Sequence, residues 1–210
     1  MPMIGTKVIS MKKIITVIAL AAALCFTAKA QYSVGAGYLN QVTKTNVSNS
    51  SSSSSADGLY VGVDAAYNLG AGFSVAPGLY YSYLGSKSGS DLLKGKTDAH
   101  YLSIPVNAMF SFPIADVFRV FAFAGPQFNI GLSSKTTLDA AGLVQTTVDN
   151  YGEDALLKRF DLGINLGLGF DVAELVRIKF AYQFGLLDID TLDNSKTNCN
   201  YLSVGAAFLF

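Results

Sequence analysis

Charged side chains make up only 14% of this sequence, but five of them fall on the small-residue side of segments that alternate apolar and polar residues. These five are Asp64, Arg119, Asp161, Arg177 and Lys179. Charges that share a narrow, poorly hydrated interior are costly unless they are paired. The pattern therefore predicts that these charges form a network in the interior of the protein, which is the lumen if the segments close into a barrel. We favour a packed set of ion pairs that fills the lumen, and the alternative is a polar pathway for ions.

The single histidine, His100, is the residue from which acid–base or nucleophilic chemistry would start. Ser103 follows it by three residues, and side chains three apart in an extended strand point to opposite faces. A nucleophile and its base need to lie within hydrogen-bond reach of each other. We therefore expect that the protein is not an enzyme and that His100 is a rim residue.

An acidic segment, "DIDTLDNSK", gathers Asp188, Asp190 and Asp193. It departs from a calcium-binding loop because Leu192 stands at the third ligand position, and the turn glycine and the closing glutamate are both lacking. We expect a solvated acidic loop and no metal site, with weak divalent binding as the alternative. No cofactor is expected.

The elements that must position these residues are eight long segments in which apolar and polar residues alternate. They are residues 31–42, 57–68, 72–84, 100–112, 118–132, 158–170, 175–187 and 198–210. Segments of ten or more residues have the length that a tilted strand needs to cross a bilayer.

The connections between these segments alternate in length. The first, third, fifth and seventh are long and polar, whereas the second, fourth and sixth are the short turns "NLGAG", "PIADV" and "DVAEL". Short turns at one rim and long loops at the other are typical of bacterial outer-membrane barrels, with periplasmic turns and extracellular loops. The composition of the serine-rich first connection indicates a flexible loop.

The stretch "RFDLGINLGLGFD" shows how the two faces differ. Phe160, Leu166 and Leu168 lie on an apolar face, and the opposite face carries three glycines and Asn165 between charged residues at its ends. A water-facing side would be rich in long lysine and glutamate side chains, so the small polar face suits a narrow lumen and the apolar face meets lipid. A closed ring satisfies every backbone donor and acceptor within hydrocarbon. We predict an all-β fold: an eight-stranded antiparallel up-and-down transmembrane β-barrel.

Two features interrupt this regular pattern. In the fifth segment, alternation places Phe121 and Phe123 in the lumen unless a bulge near Gly125 shifts the register. Pro77 and Pro105 lie inside strands, where each removes a backbone donor, so local bulges or edge-like distortions are expected there.

The start of the chain has the features of an export signal. A basic pair precedes the apolar run 14–26, and a small-x-small cleavage site ends at Ala30. We expect residues 1–30 to be an N-terminal extension plus signal peptide, with the true start at Met11. Residues 31–210 then form a single barrel domain.

Cleavage after Ala30 changes both the cysteine count and the charge. Lipidation at Cys25 is an alternative that the bulky Leu24 disfavours. Cleavage removes four of the 15 lysines and arginines, which leaves 11 against 15 acidic residues and a net charge of −4. Cys199 is then the only cysteine, so no intramolecular disulfide is expected. The acidic balance argues against a nucleic-acid partner.

The sequence ends on the alternating stretch "YLSVGAAFLF". Its predicted lipid face carries Leu202, Val204, Ala206, Phe208 and Phe210. A final strand that ends on an aromatic residue resembles the signal by which bacterial outer-membrane barrels are recognised by their assembly machinery. We predict that these residues form an assembly signal, and the alternative is that they only face lipid.

The third long connection contains "KTTLDAAGLVQTTVDN", which alternates on both sides of Ala141 and Gly142. This pattern predicts that the fifth and sixth strands continue above the membrane as a hairpin. A protruding hairpin offers an exposed edge to which another protein can add a strand. We hypothesise an extracellular protein partner at this hairpin, with Leu138, Ala141, Gly142 and Thr147 as its candidate residues.

Several motifs resemble the PorT-like type of the Gram-negative outer-membrane β-barrel family, also known as porin-family β-barrel domains. They are "YLSIPV", "FAGPQF", "RFDLG", "YQFGLLDI" and the terminal "LSVGAAFLF". The resemblance covers essentially all of residues 31–210. It implies a single eight-stranded barrel in the outer membrane without shared catalytic residues. Ser103 stands where the family often has an acidic residue.

These observations favour a monomeric, non-enzymatic barrel that is surrounded by outer-membrane lipid and has a structural or surface-interaction role. The first alternative is a small porin-like channel for ions or small solutes. The second is a soluble secreted barrel that holds an apolar ligand.

Overall fold

The computed structural model describes residues 30–47, 50–90, 93–140, 144–151, 157–190 and 195–210. Within these ranges the chain forms nine strands and no helix that is long and apolar enough to cross a membrane. The strands are β1 (Ala30–Val47), β2 (Ser50–Gly70), β3 (Phe73–Ser90), β4 (Leu93–Ala115), β5 (Phe118–Ala140), β6 (Val144–Asp149), β7 (Phe160–Val172), β8 (Val176–Gly185) and β9 (Ser195–Leu209).

Eight of these strands form a closed antiparallel ring in the order β1-β2-β3-β4-β5-β7-β8-β9. The pairing of β1 with β9, from Ser33↔Leu209 to Val47↔Ser195, closes the ring. The predicted eight-stranded up-and-down barrel is therefore confirmed. The remaining strand, β6, lies outside the ring and pairs with β5 along Lys135–Ala140.

Several strands extend further than predicted at the end of the barrel that carries the long connections. The serine run 50–55, predicted as a flexible loop, is part of β2 and pairs with residues 42–47 of β1. That prediction was wrong because composition does not reveal the partner strand, and packing against a neighbour decides β structure more than intrinsic preference does. β4 and β5 likewise pair up to Leu93↔Ala140.

The opposite end carries the three short turns, and we call it the turn end. Two of these turns use the left-handed backbone region, with φ of 52° at Ala71, 53° at Ala173 and 53° at Glu174. Consecutive left-handed residues match the twist of a two-strand hairpin. Phe210 also lies at this end, because its backbone exchanges two 3.0 Å hydrogen bonds with Tyr32.

The two faces of the wall divide as predicted. The apolar row of β7 is on the outside, where Phe160 is 47% and Leu168 is 65% exposed, and the polar row, including Asp161 and Asn165, is buried. An exposed row of this kind fits a wall that meets lipid.

On β5, the fifth strand of the ring, Phe121 and Phe123 point into the lumen and are buried. β5 keeps one unbroken register with β7 from Phe118 to Ile130, so no bulge lies at Gly125. The lumen accommodates both rings because glycines face them: a Cβ at Gly167 would lie 2.2 Å from Phe123, and one at Gly169 would lie 2.3 Å from Phe121.

No bulge lies at either proline, but the strand pairing is interrupted beside both, as expected for an edge-like distortion. The β2–β3 pairs skip from Asp64↔Gly78 to Tyr67↔Val75, and the β3–β4 pairs skip from Pro77↔Val106 to Tyr80↔Ser103. Pro77 pairs with Val106, and Pro105 pairs with Gln127, without a shift of register. A proline removes only one donor, so the neighbouring pairs can hold the register. The shifts lie between Asn68 and Gly70, between His100 and Tyr101, and between Pro113 and Ala115.

Candidate functional site

The lumen near the turn end is filled by a buried ion pair between Arg177 and Asp171. Arg177 donates from Nε to Asp171 Oδ1 at 2.7 Å and from Nη2 to Oδ2 at 2.8 Å. The two side chains are 4% and 1% exposed, and the guanidinium carbon lies 4.6 Å from the centroid of the Phe121 ring. A two-bond fork of this kind is the strong form of an arginine–carboxylate pair.

A second charged group, deeper in the lumen, joins opposite walls of the barrel. Lys179 Nζ on β8 lies 2.6 Å from Asp64 Oδ2 on β2 and 2.5 Å from Tyr80 Oη on β3. Tyr80 also donates to Asp64, and Ser33 Oγ donates to the same carboxylate oxygen at 3.3 Å. The ammonium therefore has a carboxylate and a phenol as partners in the barrel interior.

The other two residues of the predicted network are not part of these groups. Asp161 is 5% exposed and accepts a 3.4 Å hydrogen bond from Asn129, and its Oδ1 has no partner within the described residues. Arg119 lies at the turn end and pairs with Glu174 at 2.7 Å, with 34% and 67% of the two side chains exposed. The five predicted charges are thus distributed over separate places and do not form one network.

Two residues that complete these groups were not predicted from the sequence. Asp171 has the same alternation as Asp161, and the turn between β7 and β8 brings it opposite Arg177. The short connection "DVAEL" would therefore have allowed this ion pair to be predicted from the sequence. Tyr80 had no comparable signal, because its contact with Lys179 crosses the lumen between residues 99 positions apart.

Above these charges the lumen contains a cavity of about 70 Å³. Tyr60, Tyr101, Tyr201 and Ser103 are among the residues that line it. A single water needs roughly 10–15 Å³ of such volume, so the cavity has room for a few waters and not for a continuous channel.

The lumen is closed towards the long-loop end by an apolar cluster that we call the upper plug. It consists of Leu84, Ala99, Ile189, Cys199 and Tyr201, all buried, with Leu157 packed against them. Two loop segments supply part of it, since Leu157 forms a bridge with Asp190 and Lys158 N donates to Ile189 O at 2.8 Å. In-folded loops therefore cover the lumen from outside.

The histidine and serine considered for catalysis lie on opposite sides of the wall. His100 is on the outer face, where its Nδ1 lies 2.6 Å from Tyr81 Oη and its ring stands beside Tyr83. Ser103 is 6% exposed and borders the central cavity. The two side chains cannot act as a nucleophile and its base.

The acidic loop after β8 uses a carboxylate to hold its own backbone. Asp188 Oδ1 accepts from the backbone N–H of Thr197 at 2.9 Å and of Asp190 at 3.1 Å. The N–H donated by Thr197, together with that of Asp190, lowers the pKa of Asp188 below its ordinary value. Asp193 lies outside the described residues, within which no group of three potential metal ligands occurs.

The five residues of the predicted assembly signal are all exposed on the outer face of the last strand. Leu202 is 47%, Phe208 is 49% and Phe210 is 69% exposed, while the intervening Tyr201 and Ala207 point inward and are buried. The Phe210 ring stacks on Tyr32 with 6.2 Å between centroids.

The predicted hairpin in the third long connection is formed by β5 and β6. Leu138 pairs with Thr146, and Thr137 pairs with Thr147, whereas Ala141 and Gly142 lie outside the described residues. The returning strand was predicted to be a continuation of the next ring strand. It is instead a separate strand, because β6 ends at Asp149 and β7 begins at Phe160. Asn150 instead turns back and donates to Ser134 Oγ at 2.9 Å.

Comparisons with solved structures find chains that are similar at low sequence identity. Solved structures similar to this chain include the attachment invasion locus protein Ail of Yersinia pestis, at 16% identity, covering 87% of this chain and 99% of that chain with a TM-score of 0.47. They also include Neisserial surface protein A, at 19% identity, 87% and 99% coverage and a TM-score of 0.46. The outer membrane enzyme PagL is 14% identical, with 83% and 97% coverage and a TM-score of 0.48.

A search of curated protein sequences gave no match. A family model described as the outer membrane protein beta-barrel domain matches residues 26–191. This match covers most of the chain and includes every described strand except β9.

Proposed function

We propose that this chain, which belongs to the outer membrane protein beta-barrel family, is an integral outer-membrane protein with a structural or surface-interactive role. The observation that carries this proposal is the β5–β6 hairpin. β6 pairs with β5 along one edge, and within the described residues no strand pairs with its other edge. Thr146, Thr147, Val148 and Asp149 on this strand are exposed.

An open strand edge at the extracellular end is suited to binding an extended segment of another protein. Main-chain hydrogen bonds then supply affinity, and the side chains on alternate positions supply specificity. The edge carries only one charge, Asp149, so little opposes the approach of a partner strand. We therefore propose an extracellular protein partner at this hairpin.

Two excisions of equal length test this proposal. Removal of residues 138–147 takes away the hairpin, and removal of residues 44–53 shortens the β1–β2 hairpin, which pairs with neither β5 nor β6, as a control. We expect intact protein and the 44–53 variant to capture the same extracellular proteins, and the 138–147 variant to lose them. Circular dichroism should show a folded barrel in all three. Unchanged capture by the 138–147 variant would exclude this edge.

We further propose that Leu202, Val204, Ala206, Phe208 and Phe210 act as the signal for the barrel assembly machinery. All five lie on the outer face of the strand that closes the ring, where another protein can reach them before closure. Export through a signal peptide cleaved after Ala30 belongs to the same proposal. Residues 1–29 lie outside the described residues, whereas Ala30 and Gln31, which flank the bond proposed to be cleaved, are the first two residues of β1.

The assembly role is separable from a purely structural one by comparing Phe210→Ala with Phe160→Ala. Both variants remove an exposed aromatic ring from the outer face. We expect Phe210→Ala to lower the assembled fraction in cells while folding normally from denaturant into lipid vesicles. Phe160→Ala should leave both measurements unchanged. Assembly of Phe210→Ala at the parental level would contradict the signal role.

The lumen supports a non-conducting barrel over the alternative of a small channel. The Arg177–Asp171 pair, the Lys179–Asp64 pair and the upper plug occupy successive levels of the interior. Our proposal also includes a monomeric state, the absence of enzymatic activity and, on the five sequence motifs named above, membership of the PorT-like type.

A further inference from the structure

The extracellular end of the barrel contains a cavity of about 220 Å³ that we call the vestibule. It lies on the long-loop side of the upper plug, whose Leu84, Ile189 and Leu157 form its apolar floor. Because the plug separates the vestibule from the central cavity, a ligand would enter and leave on the same side. The vestibule is therefore suited to binding and not to passage.

The wall of the vestibule is built from hydroxyl groups on five consecutive strands. They are Thr43 on β1, Ser54 on β2, Ser86 on β3, Thr97 on β4, and Ser134 and Thr136 on β5. The register explains this convergence, since Thr43 pairs with Ser54, Ser86 with Thr97, and Thr97 with Thr136. Cross-strand partners point to the same side of a sheet, so the hydroxyls all face inward.

Side-chain contacts already order part of this wall. Thr97 Oγ1 lies 3.0 Å from Thr136 Oγ1, and Asn150 Nδ2 donates to Ser134 Oγ at 2.9 Å and to Thr136 Oγ1 at 3.1 Å. A hydroxyl has one hydrogen to donate and two lone pairs, so these groups keep further capacity for a ligand. The wall can both donate to and accept from a partner.

No charged side chain is among the described residues that line the vestibule. An ionic ligand would find no compensating charge among these residues, and leaving water without one is costly. A neutral ligand with a polar edge and an apolar face fits both the wall and the floor. Sugar rings have this chemistry, with hydroxyls around the edge and C–H groups on the faces.

We propose that the vestibule is a binding site for a neutral saccharide. Its volume is below the range of roughly 300–1,000 Å³ that is typical of sites for drug-sized ligands, so it accommodates about one or two rings. This site is separate from the strand edge of the proposed partner interaction, because the hydroxyls lie on the inner side of β5 and the edge belongs to β6.

Titration of the purified protein with methyl α-D-glucopyranoside, methyl β-D-galactopyranoside and N-acetylglucosamine tests the site. The detergent should be zwitterionic, since a glycoside headgroup would compete. We expect calorimetry to detect saturable binding of at least one sugar with a Kd on the order of 1 mM, which suits a small neutral ligand. The absence of saturable binding for all three sugars would overturn the proposal.

A charged counterpart tests the chemistry of the site. Glucuronate carries a carboxylate on the same ring, and we expect it to bind about tenfold more weakly than the methyl glucoside or not at all. Glucuronate binding as tight as that of the neutral sugar would show that the uncharged wall does not select the ligand, and would overturn the proposal.

Three hydroxyl deletions locate the site. Thr136→Val should weaken binding about three- to tenfold, the usual effect of losing one neutral hydrogen bond. Thr43→Val, on a different strand, should act in the same direction, since its hydroxyl lies in the vestibule 3.5 Å from Cys199 Sγ. Thr137→Val is the matched control, because that hydroxyl is exposed and contacts Thr147. Equal weakening by Thr137→Val, or none by either vestibule variant, would overturn the assignment.

Discussion

Two arginines near the turn end make ion pairs of very different character. Arg177 and Asp171 are almost completely buried and share a two-bond fork, whereas Arg119 and Glu174 meet at one atom pair and are partly exposed to water. Breaking a buried pair leaves a charge without a partner in a poorly hydrated interior. An exposed pair is screened by solvent and contributes little. Burial, and not the presence of a contact, decides their contributions.

This contrast predicts the outcome of two equivalent substitutions. Arg177→Met should lower the free energy of unfolding by about 3–5 kcal/mol. Arg119→Met should change it by less than about 1 kcal/mol. The chain has no tryptophan, so urea unfolding in lipid vesicles should be followed by circular dichroism. Similar losses for the two variants would show that the Arg177–Asp171 pair does not stabilise the barrel.

At the scale of elements, the described loop segment after β8 is held by β9, the strand to which it leads. The chain between β8 and β9 folds back so that Ile189 fills the upper plug and Asp188 caps two backbone N–H groups. Ile189 N also donates to Thr197 O at 3.0 Å. The same segment that closes the lumen is therefore held by a titratable carboxylate.

This arrangement predicts how the loop responds to acid. The folded pKa of Asp188 lies below the ordinary value, so its contribution to stability is complete above that ordinary value and is lost as pH falls through the lowered one. The Thr197 amide resonance, followed by NMR between pH 2 and pH 7, should titrate with a midpoint below 3.8. Asp188→Asn should abolish that step. A midpoint above 3.8 would contradict the capping role.

At the scale of the whole molecule, the closed ring encloses an interior that side chains fill. Eight strands leave a lumen about as wide as the side chains that line it. Here that width is occupied, from the turn end towards the long-loop end, by the two ion pairs, the tyrosines around the central cavity and the upper plug. The long-loop end carries the vestibule on the outer side of this plug.

We therefore expect the purified protein to produce no large, stable conductance steps in planar lipid bilayers. A sixteen-stranded porin, whose lumen is an aqueous channel, serves as the positive control in the same membranes. Stable conductance steps that scale with salt concentration would instead support the porin-like alternative and contradict a filled lumen.

Local patterns in the sequence determined the class of fold. Alternation with a period of two is a property of neighbouring residues, so it separated the lipid row of β7 from its lumen row without knowledge of any partner. The alternation of short and long connections likewise gave the number of ring strands. These features depend on residues that are close in the chain, and the closed ring confirms them.

Only the tertiary structure decided which inward residues meet. Lys179 and Asp64 are 115 positions apart, and their contact depends on the stagger of every strand between them. The same stagger leaves Asp161 without an ion pair among the described residues and brings hydroxyls from five strands around the vestibule. Alternation in the sequence indicates on which face of the sheet a side chain lies. Ring closure sets its height in the barrel, and contacts across a lumen require both.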